Sequence, residues 1–444
     1  MIFPVTFDER QLETLHQAAQ HEPRELCAIG QVHAVDGSNR QLVRSLTPVP
    51  DRAYLERTRH GVVVDPTYIV DTANEARRQG AGIALAHTHP TNGRASFSHV
   101  DLAHEPPLAR YLGSRLPERR HLSSVITVDD AITHELCGTE FDTRSVGARL
   151  RRYGRRADSA SGSAPDRYDR QIRAFGPDGQ RLLRSLTVAV VGLGGIGSFV
   201  ATELAHLGVG RMVLIDHDTV DESNLNRLVG AGSPAIGRDK VAVARSAIRR
   251  ANPDCKVTIS RGDVTDFVVA RKLFDADFVL LCTDGHASRA VVNQIAYQFY
   301  VPTIDVGVAI HVSDARISAI IGRVQMLAPG LPCLVCTQLL DPQRVRWELQ
   351  RPDIRERDPY FVGASAPQPA VISFNGTVAS AAVTMFLSAT TGIPSDARWI
   401  HYDAMRGSMR PLTFTPQADC IVCSERGALG RGSSWQIPTR TEAS

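Results

Sequence analysis

The stretch Thr187-Val188-Ala189-Val190-Val191-Gly192-Leu193-Gly194-Gly195-Ile196-Gly197 decides how this 444-residue chain is read. The apolar run Thr187–Val191 predicts a buried strand, and the glycines then predict a tight turn opening a helix over Ser198–Leu207. With no side chains in the way, Gly192, Gly194, Gly195 and Gly197 let the backbone approach a phosphate, and the helix N-terminus offers it unpaired N–H groups. Working outward, strands are expected at Met212–Asp216, Val257–Ser260, Phe278–Cys282 and Thr303–Val306, and helices at Lys240–Ala251 and Ala287–Tyr300. That alternation belongs to a doubly wound, Rossmann-like α/β sheet. Asp216 ends the next strand, about twenty residues on, where a ribose-binding carboxylate belongs.

By itself the glycine loop favours a nicotinamide-dependent oxidoreductase, here with an appended metal-binding domain. The residues beyond it argue for different chemistry. Asp216, Asp218, Asn224, Arg227 and Lys240 form a dense polar run. Hydride transfer needs few cations, whereas splitting ATP between its α- and β-phosphates needs several, plus a carboxylate for magnesium. Arg170 and Asp284 fit such roles. Together these residues resemble the ubiquitin-activating-enzyme-like adenylyltransferases of the ThiF, MoeB and HesA type, over about residues 167–426. The resemblance implies ATP with Mg²⁺, Asp216 on the ribose, and Asn224, Arg227 and Lys240 on the triphosphate. It makes Asp284 the magnesium carboxylate and sends Arg170 to the γ-phosphate, often of a neighbouring subunit, so a homodimer is expected. Two positions depart from the family pattern: Gly285 replaces the usual Asn after the magnesium Asp, and Leu228 the usual Gln after the motif Arg. The reaction implied is adenylation of the C-terminal glycine of a ubiquitin-like or sulfur-carrier protein.

A second constellation lies near the N-terminus. Ile83–Ala86 reads as a buried strand running into His87-Thr88-His89-Pro90, followed by Ser98-His99-Val100-Asp101. Residues two apart on a strand share a face, so His87 and His89 can offer two imidazoles to one metal. Asp101, at the start of a short helix that Pro106-Pro107 should interrupt, can add a third ligand and leave a fourth position open for water, as catalytic zinc sites do. The blander reading is that Ser98-x-x-Asp101 is a helix capping box and His-Thr-His a surface strand end. Glu25, at the head of an expected short strand Arg24–Gly30, supplies the acid/base such a site needs.

With Glu25 included, residues 1–145 resemble the JAB/JAMM metalloproteases, or MPN domains, which have an α+β, cytidine-deaminase-like fold. The resemblance implies His87, His89 and Asp101 as ligands of a catalytic Zn²⁺, Glu25 as acid/base, and Ser98 as hydrogen-bond donor to the oxyanion. Eight residues separate His89 from Ser98 where the family pattern has seven, and the extra one falls in the turn Thr91-Asn92-Gly93. Members cut peptide or isopeptide bonds at the C-terminus of ubiquitin-like proteins.

Two Cys-x-x-Cys knuckles, Cys333/Cys336 and Cys420/Cys423, read as a structural four-cysteine zinc site rather than a thioredoxin-like pair. Cys27 and Cys282 lie in apolar strands and read as buried and inert. The crossover segment Gly363–Asn375, where thioester-forming relatives carry a cysteine, has none, though Ser365 or Ser373 could form an ester. Adenylation is therefore expected without a local thioester, and the acyl group should pass to a persulfide donor or a conjugating enzyme. Asn375 reads as the N-cap of a helix Gly376–Thr390.

The expected layout is a metalloprotease domain over 1–150, a small, polar linker over 151–166, the adenylyltransferase domain over 167–426 and a disordered tail over 427–444. A net charge of +3 implies no nucleic-acid field, and neither a membrane-spanning run nor a basic signal-peptide start is read, so the cytoplasm is the expected location. Lys240, Lys256 and Lys272 are the only lysines, which singles out Lys240 among so many arginines. A bifunctional enzyme follows: a zinc (iso)peptidase that processes or removes a ubiquitin-like protein, fused to the adenylyltransferase that activates it, with fusion raising effective concentration.

Overall fold

The computed structural model describes residues 3–154, 166–314, 316–350, 355 and 368–440. Packing divides the chain into two compact units. One comprises Met1–Ser161 with Gln298–Tyr300 and Glu425–Gln436; the other comprises Gly162–Tyr297, Val301–Ser424 and Ile437–Ser444.

The first unit is built on strands β1 (Pro4–Asp8), β2 (Cys27–Ala34), β3 (Gln41–Pro48), β4 (Tyr54–Arg57), β5 (Val62–Val64), β6 (Gly82–Thr88), β7 (Leu122–Ile126), β8 (Ala131–Glu135), β9 (Asp142–Val146) and β10 (Leu150–Arg152). Eight of them form one mixed sheet in the order β10-β9-β1-β3-β2-β6-β7-β8, and β4 and β5 pair separately. Helix α1 (Glu9–His21) covers one face, and α2 (Pro66–Arg78) and α3 (His99–Arg115) cover the other. The alternation along β6 shows this directly. Ala84 and Ala86 join the core with Leu12 and Leu15 of α1, whereas Ile83 and Leu85 pack with Ala76 of α2 and Leu112 of α3. The same parity points His87 toward α3.

In this part of the chain the structure differs from the sequence expectation. Helix α3 runs through Pro106 and Pro107 as far as Arg115. The prolines remove two backbone donors, but Leu112 is fully buried and Glu105 is pinned by His134 and the Cys137 amide, and these contacts carry the helix past them. The first unit also extends beyond residue 150, because β10 reaches Arg152 and Tyr153 is buried. The remainder of the expected linker, 155–165, lies outside the described residues. Finally, the expected tail does not fray from 427. Ala428, Leu429 and Ile437 are buried, so their apolar side chains tie the segment down.

The second unit has strands β11 (Thr187–Val191), β12 (Arg211–Asp216), β13 (Lys256–Arg261), β14 (Phe278–Leu281), β15 (Thr303–Ser313), β16 (Arg316–Leu327), β17 (Trp399–Asp403) and β18 (Ser408–Pro411). Its sheet order is β13-β12-β11-β14-β15-β16-β17-β18. The first five are mutually parallel and the rest antiparallel. Helices α4 (Asp169–Ser185), α5 (Gly195–His206), α6 (Lys240–Ala251), α7 (Phe267–Ala270), α8 (His286–Gln298), α9 (Pro342–Glu348) and α10 (Ile372–Thr390) complete the unit. From β11 the chain winds outward to β12 and β13, then returns to β14 on the other side of β11. The crevice between β11 and β14 is thus the topological switch point where such sheets bind ligands.

Helix α10 is long and apolar enough to cross a membrane, contrary to the reading of the sequence. Its Val378, Ala379, Ala382 and Phe386 are fully buried and it packs on α5, β15 and β16, so its apolarity belongs to the core of the second unit.

Candidate active and metal-binding sites

In the first unit, sheet register brings the candidate ligands together. Strands β2 and β6 are antiparallel with Cys27 opposite His87. Continuing that register two residues places Glu25 opposite His89. Thr88 secures the junction, its amide donating to the Leu26 carbonyl and its hydroxyl accepting from the Leu26 amide. The third candidate ligand comes from α3. Ser98 caps this helix and Asp101 reaches back to the Ser98 amide, forming a complete capping box. One Asp101 oxygen is left near each histidine.

The distances are 3.2 Å between the His87 and His89 Nε2 atoms, 3.1 Å from His87 Nε2 to Asp101 Oδ1, and 3.5 Å from His89 Nε2 to Asp101 Oδ2. Tetrahedral ligands about 2.0 Å from zinc stand about 3.3 Å apart, and each histidine Nε2 lies near that spacing from the other and from one Asp101 oxygen; Glu25, His87 and His89 also offer ligand atoms within 4.8 Å of one another. Glu25 Oε1 lies 3.8 Å from His89 Nε2. Burial raises the Glu25 carboxyl above its ordinary range, against the pull of His87 and His89. Burial also works to raise Asp101, but hydrogen bonds with the two histidines outweigh it and hold that carboxyl far below its ordinary range. The hydrogen bond to Asp101 raises the His89 imidazole.

Further residues, not singled out by any motif, hold this segment. The His134 ring stacks on Phe97, with centroids 3.8 Å apart and planes 8° from parallel, and its Nε2 lies 2.6 Å from Glu105 Oε1. Phe97 precedes the cap Ser98, and Glu105 is one helical turn beyond Asp101. Upstream, the Gly93 and Ala95 amides donate to Asp129 and Asp130, which fixes the loop that carries the additional residue.

In the second unit, Gly192 follows β11 with φ +85°, a conformation that favours glycine. A Cβ on Gly197 would stand 1.8 Å from the Gly192 carbonyl oxygen, so the turn closes only because that position is bare. Asp216, 8% exposed, accepts from the Leu193 and Asp218 amides through different carboxylate oxygens. Each of those oxygens keeps a lone pair for a further donor. Lys240 Nζ donates to Asp218 at 2.6 Å, and Arg227 donates to the Ser223 carbonyl at 2.6 Å and to Asn226 at 3.1 Å. Asn224 completes a capping box with Asp221. Asp284 is exposed just past the end of β14, and Arg170 is exposed in the first turn of α4. Asn375 is not an N-cap. The helix begins at Ile372, and the buried Asn375 amide lies against the glycine loop, 2.3 Å from where a Cβ on Gly195 would be.

The knuckles meet. The thiols of Cys333, Cys336, Cys420 and Cys423 all lie within 4.8 Å of one another, with Cys333–Cys420 and Cys336–Cys423 each at 3.4 Å. Tetrahedral sulfurs about 2.3 Å from zinc stand about 3.8 Å apart. The amides of Cys336, Gln417 and Val422 donate to three of these sulfurs, as suits thiolates. The other cysteines are poor nucleophiles. Burial pushes Cys27 up to about 12 and Cys255 up to about 11, and it raises Cys282 also. Cys137 is exposed but raised as well, by burial first and then by Glu105. Ser365 lies outside the described residues, and Ser373 sits in the first turn of α10.

Comparison with known proteins returns a family model described as "ThiF family", matching residues 168–422. The chain is 32% identical over 263 residues to the molybdopterin-synthase adenylyltransferase of Escherichia coli, covering 58% of this chain and 96% of that protein. It is 30% identical over 266 residues to the SAMP-activating enzyme E1 of Haloferax volcanii, covering 59% and 90%. The Escherichia coli sulfur carrier protein ThiS adenylyltransferase is 30% identical over 265 residues, covering 59% and 96%.

Proposed function

Because the chain belongs to the ThiF family, we propose that its second unit adenylates the C-terminal carboxylate of a ubiquitin-like or sulfur-carrier protein and that its first unit hydrolyses a bond at that same tail. The observation that carries the adenylation half is the glycine turn at the β11/β14 switch point with Asp216, Arg227 and Lys240 around it. The tail carboxylate attacks the α-phosphorus of ATP, and pyrophosphate leaves. Asp216 accepts from the ribose hydroxyls. Arg227 and Lys240 stabilise charge that develops on the phosphates. Mg²⁺, held by Asp284, would neutralise the leaving pyrophosphate. With the Cys282 thiol raised by burial and no cysteine in the sequence Gly363–Asn375, the acyl-adenylate goes to an external acceptor, a persulfide or a conjugating enzyme's cysteine.

The hydrolytic half rests on the Glu25–His87–His89–Asp101 cluster and its zinc-compatible spacings. Zinc in that set would supply Lewis acidity and an acidified water. Glu25, beside His89, is placed to take a proton and return it to the leaving amine. The Ser98 hydroxyl accepts from the Asp101 amide, which leaves its own proton for an oxyanion. The four-cysteine cluster would hold structural zinc.

Pyrophosphate–ATP exchange, assayed with small proteins ending in Gly-Gly, tests the first half; no exchange with any such tail would remove it. Cleavage of tail fusions tests the second. It should be lost in Glu25→Gln and kept in Asp284→Ala, and the reverse pattern would overturn the assignment.

A further inference from the structure

Asp284 is exposed at a strand end, where a carboxylate needs its backbone fixed if it is to hold a metal in one geometry. The structure supplies that fixation through residues on neighbouring elements. Arg289, one turn into α8, donates through Nε to Asp305 Oδ1 at 3.1 Å and through a terminal nitrogen to the Asp284 carbonyl at 3.1 Å. Asp305 is fully buried on β15, with Leu281 of β14 as its register partner three residues before Asp284. Its second oxygen accepts from Arg323 of β16. Burial opposes the charged form of Asp305, and the two arginines outweigh it. Gly307, two residues along β15, leaves room for Arg289; a Cβ there would stand 3.0 Å from the guanidinium. On the other side of the turn, Glu348 of α9 accepts from the Ala287 amide at 2.7 Å and would stand 3.2 Å from a Cβ on Gly285. The glycine that replaces the family's usual asparagine thus leaves space for this carboxylate.

We propose that Arg289, locked by Asp305 and Arg323, is a positioning residue that sets the Asp284 turn for Mg²⁺ accompanying ATP. This deepens the adenylation reading and rests on it. A planar guanidinium is needed because two acceptors in different directions are bridged by one head group; a lysine ammonium keeps the charge beside Asp305 and loses the fork. Arg289→Lys therefore preserves compensation of the buried carboxylate while freeing the Asp284 carbonyl.

The test uses the full chain and equilibrium dialysis of radiolabelled ATP, first without divalent metal and then across a Mg²⁺ titration. Metal-free ATP binding serves as the control for an intact nucleotide site. Arg289→Lys should bind metal-free ATP as the natural chain does and need about tenfold more Mg²⁺ for half-maximal enhancement, the size of effect typical of residues that orient a metal ligand. Asp284→Ala should lose the enhancement altogether. If Arg289→Lys superimposes on the natural chain while Asp284→Ala loses its Mg²⁺ response, the inference is overturned and the adenylation reading stands. If the natural chain's ATP binding ignores Mg²⁺, the inference is overturned, and pyrophosphate–ATP exchange decides the adenylation reading separately.

Discussion

The two clusters we propose as zinc sites differ in how far they are closed. The Cys333–Cys336–Cys420–Cys423 set offers four sulfurs, with Cys333, Cys420 and Cys423 buried, and joins segments far apart in the second unit. The His87–His89–Asp101 set offers three atoms, keeps 14–18% of each side chain exposed, and has a carboxylate beside it. A closed four-ligand set leaves an ion nothing to do but hold the chain; an open three-ligand set with a neighbouring base leaves it a coordination position to work with. On the proposed reading, donor count and burial, more than residue type, separate the roles. The ion should be part of the fold in one unit and a guest in the other.

The largest expected effect tests the closed site. Cys420→Ser should remove one zinc per chain and lower the melting temperature by more than about 10 °C, because a structural ion's binding energy is folding energy. Metal analysis and calorimetry check this, and an unchanged melt would break the contrast. Next, Glu25→Gln should reduce tail cleavage by about 10²–10⁴ and leave zinc content and melting unchanged. Loss of zinc on that substitution would make Glu25 a ligand and close the open site.

If the first unit folds without its ion, its metal-free stability should instead follow its buried titratable groups. Burial, then Arg44, pushes His33 down to about 4. The unfolded chain therefore binds this proton first as pH falls. The stability is fully present above about pH 6.5 and drains as pH drops toward 4, by on the order of 3 kcal/mol. Urea unfolding of chelator-treated protein at pH 7 and pH 4.5, repeated in His33→Gln, measures it; identical pH dependence in the two chains would count against the burial argument. The smallest effect sharpens the open site. His134→Ala frees Phe97 and Glu105 and should weaken zinc at the first unit about tenfold, leaving the four-cysteine zinc untouched in chelator competition.

What the sequence decided was local. The strand–glycine–helix run of β11 and α5 was legible because a turn that needs bare backbone must spell it within a few residues, and β11 and α6 have the bounds the pattern predicts. The closeness of His87, on β6, and His89, just past its end, was legible for the same reason. The helix through Pro106-Pro107 was not, because the contacts that outweigh two missing donors come from His134 and the Cys137 amide, more than 25 residues away. Asn375 against Gly195, Arg289 on Asp305, and Phe97 under His134 were equally silent: no spacing rule joins residues that meet only when strands and helices from separate parts of the chain are stacked. Chemistry confined to one turn is written in residue order; support for that chemistry comes from long-range packing, and only the folded chain brings it into place.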